Sequence, residues 1–200
     1  LDALGLAGHH LATLERMIAR PEGLILVTGP TGSGKTTTLY SLLNHISNES
    51  VNIMTLEDPV EYPGMLLRQT SLAEAVKLDF ASGIRSILRQ DPDVILVGEI
   101  RDAETAEMAF HAAMTGHQVY STLHTNSAIG AIPRLQDLGI PPDILAGNIV
   151  GVIAQRLLRR LCPHCRKPVP AKAVEGRLPA DAEAPAVLYR AVGCPACDFQ

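Results

Sequence analysis

Gly29-Pro30-Thr31-Gly32-Ser33-Gly34-Lys35-Thr36 carries the spacing G-x-x-x-x-G-K-[ST]. These residue types together hold phosphate. The glycines let successive backbone N–H groups converge on an anion that side chains would otherwise obstruct. Lys35 adds a point charge for the β- and γ-phosphates, and the Thr36 hydroxyl can ligate Mg²⁺. Thr37, next along the chain, is counted with the same binding set. The expected ligand is a nucleoside triphosphate.

Three further groups of residues could do chemistry. Glu57-Asp58-Pro59-Val60-Glu61 places three carboxylates in five residues, and reads either as a metal and water site or as an ordinary acidic turn. Glu99 closes the apolar run Val94-Ile95-Leu96-Val97-Gly98. In phosphate-loop ATPases such a run usually ends in an Asp that holds Mg²⁺, often followed by a Glu that activates water. Here Gly98 occupies the Asp position and Glu99 remains, so metal holding would fall to Thr36, water and the Glu57-Asp58 cluster. His124 follows the run Gln118–Leu123, where it could sense a γ-phosphate or serve as a structural histidine. Finally, Cys162-Pro163-His164-Cys165 and Cys194-Pro195-Ala196-Cys197 form two C-x-x-C knuckles that use all four cysteines of the chain. That pattern is a tetrahedral zinc signal, and four thiolates leave no open position for catalysis, so the role expected for the site is structural. Two disulfides are the alternative, and they are rare in the cytosol.

The elements that must position these groups follow from apolar runs and breakers. Leu24–Val27 reads as a buried strand feeding the phosphate loop and then a helix, whose positive dipole end faces the same anion. Residues 3–20 have helical spacing at Leu4, Leu11, Leu14, Met17 and Ile18, with His9 and His10 as a solvated pair. Further strands are expected over 51–56, 94–99 and 118–123. Residues 62–80 hold Leu66, Leu67 and Leu72 in a packed loop or short strand. Helices are expected from Phe80 to Arg89 with a cap near Ser82, over Ala103–Thr115, from a Ser127 cap to Leu138, and from Ile144 to Leu161. The last of these ends in the basic run Gln155–Arg160, either a contact surface or a solvated helix end. Alternation of strands and helices over 24–138 implies an α/β fold with a parallel sheet. The expected division is a core over 1–161 and a tetracysteine segment over 162–200, with the Pro- and Ala-rich stretch 168–186 as a loop between knuckles.

Composition narrows the partners. The 200 residues are 46% hydrophobic and 19% charged, a globular balance with ample chain for a core. Aromatic content of 4% with no Trp, and a net charge of −4, argue against a nucleic-acid surface. No apolar run approaches the roughly 20 residues of a membrane span. The opening Leu1-Asp2-Ala3 lacks a Met and a signal-peptide pattern, so the chain is expected to be a piece of something longer.

Taken together, Gly29–Thr36, Glu57–Glu61, Leu88-Arg89-Gln90-Asp91-Pro92-Asp93-Val94, Val97-Gly98-Glu99-Ile100-Arg101-Asp102 and Ser121-Thr122-Leu123-His124-Thr125-Asn126 resemble the secretion ATPases. These are the hexameric motors of type II secretion and of type IV pilus extension. The resemblance implies a RecA-like core and an ATP-hydrolysing motor that powers pseudopilus or pilus assembly at the cytoplasmic face of the inner membrane. It implies ATP, Mg²⁺ and Zn²⁺ as ligands, a homo-hexamer, and inner-membrane platform proteins as partners. By the match, Glu99 would be the catalytic carboxylate, His124 would contact the γ-phosphate side, and Glu57 and Glu61 would assist metal and water. Arg85, Arg89 and Arg101 match motif arginines and are candidates for the charge that stabilises a transferring phosphoryl group. The paired cysteines occur in secretion and pilus-extension members and are usually absent from retraction motors.

Two features depart from the family pattern. The N-terminal domain and the helical segments beyond the second knuckle are missing from these 200 residues, and Gln69–Ala75 differs from the expected Gln-x-x-Val-Asn run. A RecA-type DNA motor and a non-hydrolysing nucleotide switch are the rival classes; the acidic charge speaks against the first and the retained Glu99 against the second. Lys35→Ala removes the cation inside the phosphate cradle and is expected to abolish ATP binding. Calorimetric titration checks this, and an unchanged affinity contradicts the assignment.

Overall fold

The computed structural model describes all residues except 2, 3, 7, 65, 73–78, 171–186 and 200. The chain divides into two compact units, Leu1–Leu157 and Leu158–Gln200. Among the described residues no helix is long and apolar enough to cross a membrane.

The first unit is built on a six-stranded, all-parallel sheet. Its strands are β1 (Gly23–Thr28), β2 (Ile53–Glu57), β3 (Leu67–Ser71), β4 (Val94–Val97), β5 (Gln118–Leu123) and β6 (Ile149–Ala154), in the spatial order β3-β2-β4-β5-β1-β6. Every residue of β1, β2, β4 and β5 is buried, as a parallel strand covered on both faces requires. Successive side chains point to opposite faces, so each strand feeds two cores. Leu24, Leu26, Met54, Leu56, Ile95, Val97 and Val119 pack on one side with α3 (Phe80–Ile87) and α4 (Ala103–Met114). Ile25, Val27, Ile53, Val94, Leu96 and Tyr120 pack on the other with α1 (His9–Ile18) and α2 (Lys35–Ile46). The α3–sheet approach is close enough that a Cβ on Gly83 would lie 2.3 Å from Leu56 Cδ2.

Several boundaries differ from expectation. The first helix starts at His9, because Gly5 and Gly8 take positive φ (71° and 51°) and stop it reaching back to Leu4. Within residues 62–80, Leu67–Ser71 form β3, an edge strand parallel to β2. The cap of α3 is Asp79, whose carboxylate accepts from the Ser82 N–H at 2.7 Å; Ser82 is its N3 partner in a capping box. After Ile87 the chain tightens into a 3₁₀ turn over Leu88–Gln90. Ser127 caps a turn that precedes the next helix, accepting from the Gly130 N–H, and α5 begins at Ala131 and ends at Asp137.

The largest correction concerns residues 144–161. Only α6 (Pro142–Asn148) is helical there, and Ile149–Ala154 form β6 beside β1. Ile149, Val150, Val152 and Ile153 are β-branched and fit a half-buried pleated edge better than a helix interior. The basic run Arg156–Arg160 therefore follows a strand, not a helix.

The second unit pairs β7 (Lys167–Val169) antiparallel with β8 (Leu188–Arg190). The Arg166 guanidinium lies 4.5 Å from the Tyr189 ring centroid, a cation–π contact across this hairpin. A 3₁₀ turn spans Pro195–Cys197. Most of the stretch expected to link the knuckles, and residues 73–75 of the departing run, lie outside the described residues.

Candidate functional site

Because all six strands run the same way, their C-terminal ends open on one edge. Pairing sets Leu56 beside Val97, Val97 beside Ser121, and Thr28 beside Leu123. The loops leaving β1, β2, β4 and β5 consequently start side by side, the position where open α/β sheets bind ligands. They enclose a cavity of ≈ 550 Å³ lined by Thr31–Thr37, Glu57, Asp58, Glu61, Gly98, Glu99, Arg101, Thr122, His124 and Leu157, among others.

The phosphate loop runs from β1 to α2. Gly29, Gly32 and Gly34 take φ of 147°, 74° and 85°, which only glycine adopts without strain. The first turn of α2 has no side-chain cap, and its N-terminal amides face the loop. Lys35 Nζ folds back to donate to the carbonyls of Gly29 and Pro30 at 3.0 and 3.1 Å. An uncapped helix start, a glycine loop and a lysine at its centre fit a polyphosphate with its Mg²⁺.

Around this loop the carboxylates have separate environments. Glu57 is buried, and both its oxygens are engaged: Tyr40 O–H donates to Oε2 at 2.6 Å, and Thr55 Oγ1 donates to Oε1 at 2.5 Å. Gln69 Nε2 donates to Tyr40 Oη at 2.8 Å and to Glu57 Oε1 at 3.4 Å. Burial and the neighbouring Glu57 carboxylate both push the Tyr40 hydroxyl pKa well up, so it remains a donor. Asp58 and Glu61 are exposed on the same loop and line the cavity.

Glu99 sits between two cationic or donor groups. One oxygen is ion-paired with the Arg101 guanidinium, and the other lies 3.1 Å from His124 Nε2. Arg101 also reaches Asp58 Oδ2 at 4.0 Å, and its pairing with Glu99 raises its own pKa further. His124 is set by its neighbour: the Thr125 N–H donates to Thr28 Oγ1 at 3.0 Å, tying the segment after β5 to the end of β1. Gly98 stands at the strand end where phosphate-loop ATPases usually carry an Asp. Its N–H donates to the Leu56 carbonyl at 2.8 Å, and a Cβ there would lie 3.3 Å from that same oxygen and 3.4 Å from Glu57 Cα. A side chain at this position would need the end of β2 to give by a few tenths of an ångström.

Of the candidate arginines, Arg101 enters the cavity, whereas Arg85 and Arg89 are exposed on and after α3 and do not line it. Sequence reading missed Tyr40, Gln69, Thr28 and Gln155, which hold the reactive groups without a motif of their own. The one signal in reach was the β-branched run before Gln155, which marks a strand whose end must meet the loop.

In the second unit, the four cysteine sulfurs all lie within 4.8 Å of one another, and none is in a disulfide. A tetrahedral ion with metal–sulfur bonds of about 2.3 Å spaces its sulfurs about 3.8 Å apart. The Cys194–Cys197 and Cys165–Cys197 separations are 3.8 and 3.9 Å. The Cys194 N–H donates to Cys197 Sγ at 3.3 Å and lowers that thiol to about 7. Desolvation pushes the Cys194 thiol up to about 11. Four thiols at this spacing favour a divalent cation that stabilises all of them as thiolates.

Residues 1–200 match the family described as type II/IV secretion system protein. The chain belongs to that family. The type II secretion system ATPase E of Vibrio cholerae serotype O1 is 50% identical over 201 residues, taking in 100% of this chain and 40% of the relative. The type II secretion system protein E of Dickeya dadantii is 53% identical over 199 residues, with the same coverage of 100% and 40%. The chain thus spans about two fifths of the length of these family members. Among solved structures, the pilus retraction motor PilT with bound ADP is 46% identical, with a TM-score of 0.67 over 74% of this chain and 46% of that one. The VirB11 ATPase of the Brucella suis type IV secretion system, in complex with sulphate, is 26% identical, with a TM-score of 0.63 over 79% of this chain and 53% of that one. The expected α/β class and the family resemblance both hold.

The sulfur geometry predicts one zinc per chain on Cys162, Cys165, Cys194 and Cys197. Elemental analysis after purification under reducing conditions checks this, and less than half an equivalent contradicts it. Chelation should unfold the two knuckles and the β7–β8 pair and leave the α/β core folded, because that core buries its own sheet.

Proposed function

We propose that this chain is the ATP-hydrolysing core of a type II secretion motor, with Gly29–Thr37 holding the triphosphate and Glu99 as general base. The observation that carries the reading is the convergence of the phosphate loop and a largely buried Glu99 on one cavity. Relatives named as type II secretion ATPases support secretion over pilus extension. The ADP bound to PilT and the sulphate in complex with VirB11 support an anion site in this fold.

In the proposed reaction the amides of Gly32–Thr36 and Lys35 bind and orient the phosphates. Thr36, Asp58 and Glu61, which line the cavity, would hold Mg²⁺, which would supply charge neutralisation to the phosphates when bound. Glu99 takes a proton from water as its oxygen attacks the γ-phosphorus and the bridging oxygen leaves with ADP. His124 orients Glu99 and faces the γ-phosphate. Glu57, held by Tyr40, Thr55 and Gln69, anchors the start of the Asp58–Glu61 loop. Arg101, ion-paired to Glu99 and lining the same cavity, supplies positive charge beside the proposed base. A second arginine from a neighbouring copy in a homo-hexamer completes the charge, with Arg85 and Arg89 as exposed donors to the adjacent site. The motor would work at the cytoplasmic face of the inner membrane against platform proteins, and the Cys₄ zinc unit, residues 162–200, would be structural.

Glu99→Gln keeps size and hydrogen bonding but removes the base. It is expected to retain Mg-ATP affinity while turnover falls by roughly 10²–10⁴-fold, the usual worth of a positioned base. Single-turnover kinetics beside a binding titration separate the two effects. Hydrolysis at the native rate would move the role to Glu57 or Glu61.

A further inference from the structure

We propose that Gln155 is a positioning residue for the phosphate loop, clamping it from the last strand of the sheet into the shape that receives a polyphosphate. The inference rests on the reading of Gly29–Thr36 as a phosphate site. Gln155 stands one residue past β6 and touches both ends of the loop. Its backbone N–H donates to the Thr28 carbonyl at 2.8 Å, continuing the β1–β6 pairing by one step. Its side-chain Nε2 donates to the Ser33 carbonyl at 2.8 Å, and its Oε1 accepts from Thr38 Oγ1 at 2.6 Å. One neutral amide thereby grips the loop just before Gly34 and the first turn of α2.

The glycines of the loop record the same contact. A Cβ on Gly29 would lie 2.3 Å from the Gln155 carbonyl oxygen, and one on Gly34 would lie 2.9 Å from Gln155 Nε2. The Gln155 backbone leaves no room for a side chain at Gly29, and its amide packs directly against Gly34. The choice of side chain follows from chemistry. The site needs one donor and one acceptor at the end of a short arm, with no charge beside a bound polyphosphate. Glutamate offers only acceptors and a repelling charge, lysine only donors, and leucine neither. An amide that fixes the Ser33 carbonyl turns the following N–H groups toward the cavity before any ligand arrives. Preorganisation of this kind improves affinity by lowering the ordering cost of binding.

The test uses the 200-residue chain and its Gln155→Leu and Thr38→Val variants. In the nucleotide-free protein, amide hydrogen exchange over Gly32–Thr36 is expected to quicken in Gln155→Leu. Titration with Mg-ATP and with Mg-ADP should show affinity lowered about tenfold for both, the size of one to two lost hydrogen bonds. Turnover at saturating ATP should change less than affinity, since the clamp touches no reacting atom. Thr38→Val should shift affinity in the same direction, and the double variant should add little, because both act through one contact. If Gln155→Leu lowers the melting temperature, Gln155→Glu keeps the shape and the Thr38 bond, and must still speed exchange at the loop. Wild-type exchange and wild-type affinity in these variants would overturn the clamp while leaving the phosphate site intact. A wild-type chain that binds neither nucleotide would overturn both.

Discussion

Parallel pairing of six strands is the constraint on which everything else in the first unit depends. Parallel strands are covered on both faces, so every residue of β1, β2, β4 and β5 is buried, and helices must return over the sheet between them. The same direction of travel collects their C-terminal ends on one edge. Thr28 is the node of that edge: its hydroxyl binds Thr125 and its carbonyl accepts from Gln155. The loop before α2, the segment carrying His124 and the last strand of the core meet at this one residue. Without the register that sets Thr28 beside Leu123, these contacts could not form.

The polar groups on the edge are arranged by what burial costs. A carboxylate taken out of water needs partners. Glu57, nearly sealed, has hydrogen bonds on both oxygens from neutral donors. Glu99, at the cavity wall, is instead flanked by Arg101 and His124. The first arrangement suits a carboxylate that holds a loop in place. The second suits one whose charge must be ready beside a reacting group, and the difference supports separate proposed roles for the two.

How much of this was legible in the sequence depended on whether a residue announced itself locally. The glycines, Lys35 and Thr36 did, because the phosphate loop is one continuous stretch. The cysteine knuckles did, because their spacing within each pair is short. Strands β1, β2, β4 and β5 stood out as apolar runs. The edge strands did not: β3 carries Arg68, Gln69 and Thr70 on a partly solvated edge, and β6 follows α6 directly and so reads as more helix. Tyr40, Gln69 and Gln155 were hidden for another reason. Their roles arise from contacts across 12 to 122 positions of sequence, which no local pattern encodes. Gln155 in particular lay inside a basic run that looked like a solvated helix end.

The central claim is that the triphosphate sits on the loop after β1 with its terminal phosphate toward Glu99. A crystal structure of the chain with Mg²⁺ and a non-hydrolysable ATP analogue tests this most directly. The account predicts that Lys35 Nζ leaves the carbonyls of Gly29 and Pro30 for the β- and γ-oxygens, that Gln155 keeps its bonds to Ser33 and Thr38, and that the γ-phosphate faces Glu99 and His124. An analogue bound elsewhere, with Lys35 still folded onto its own loop, would contradict it.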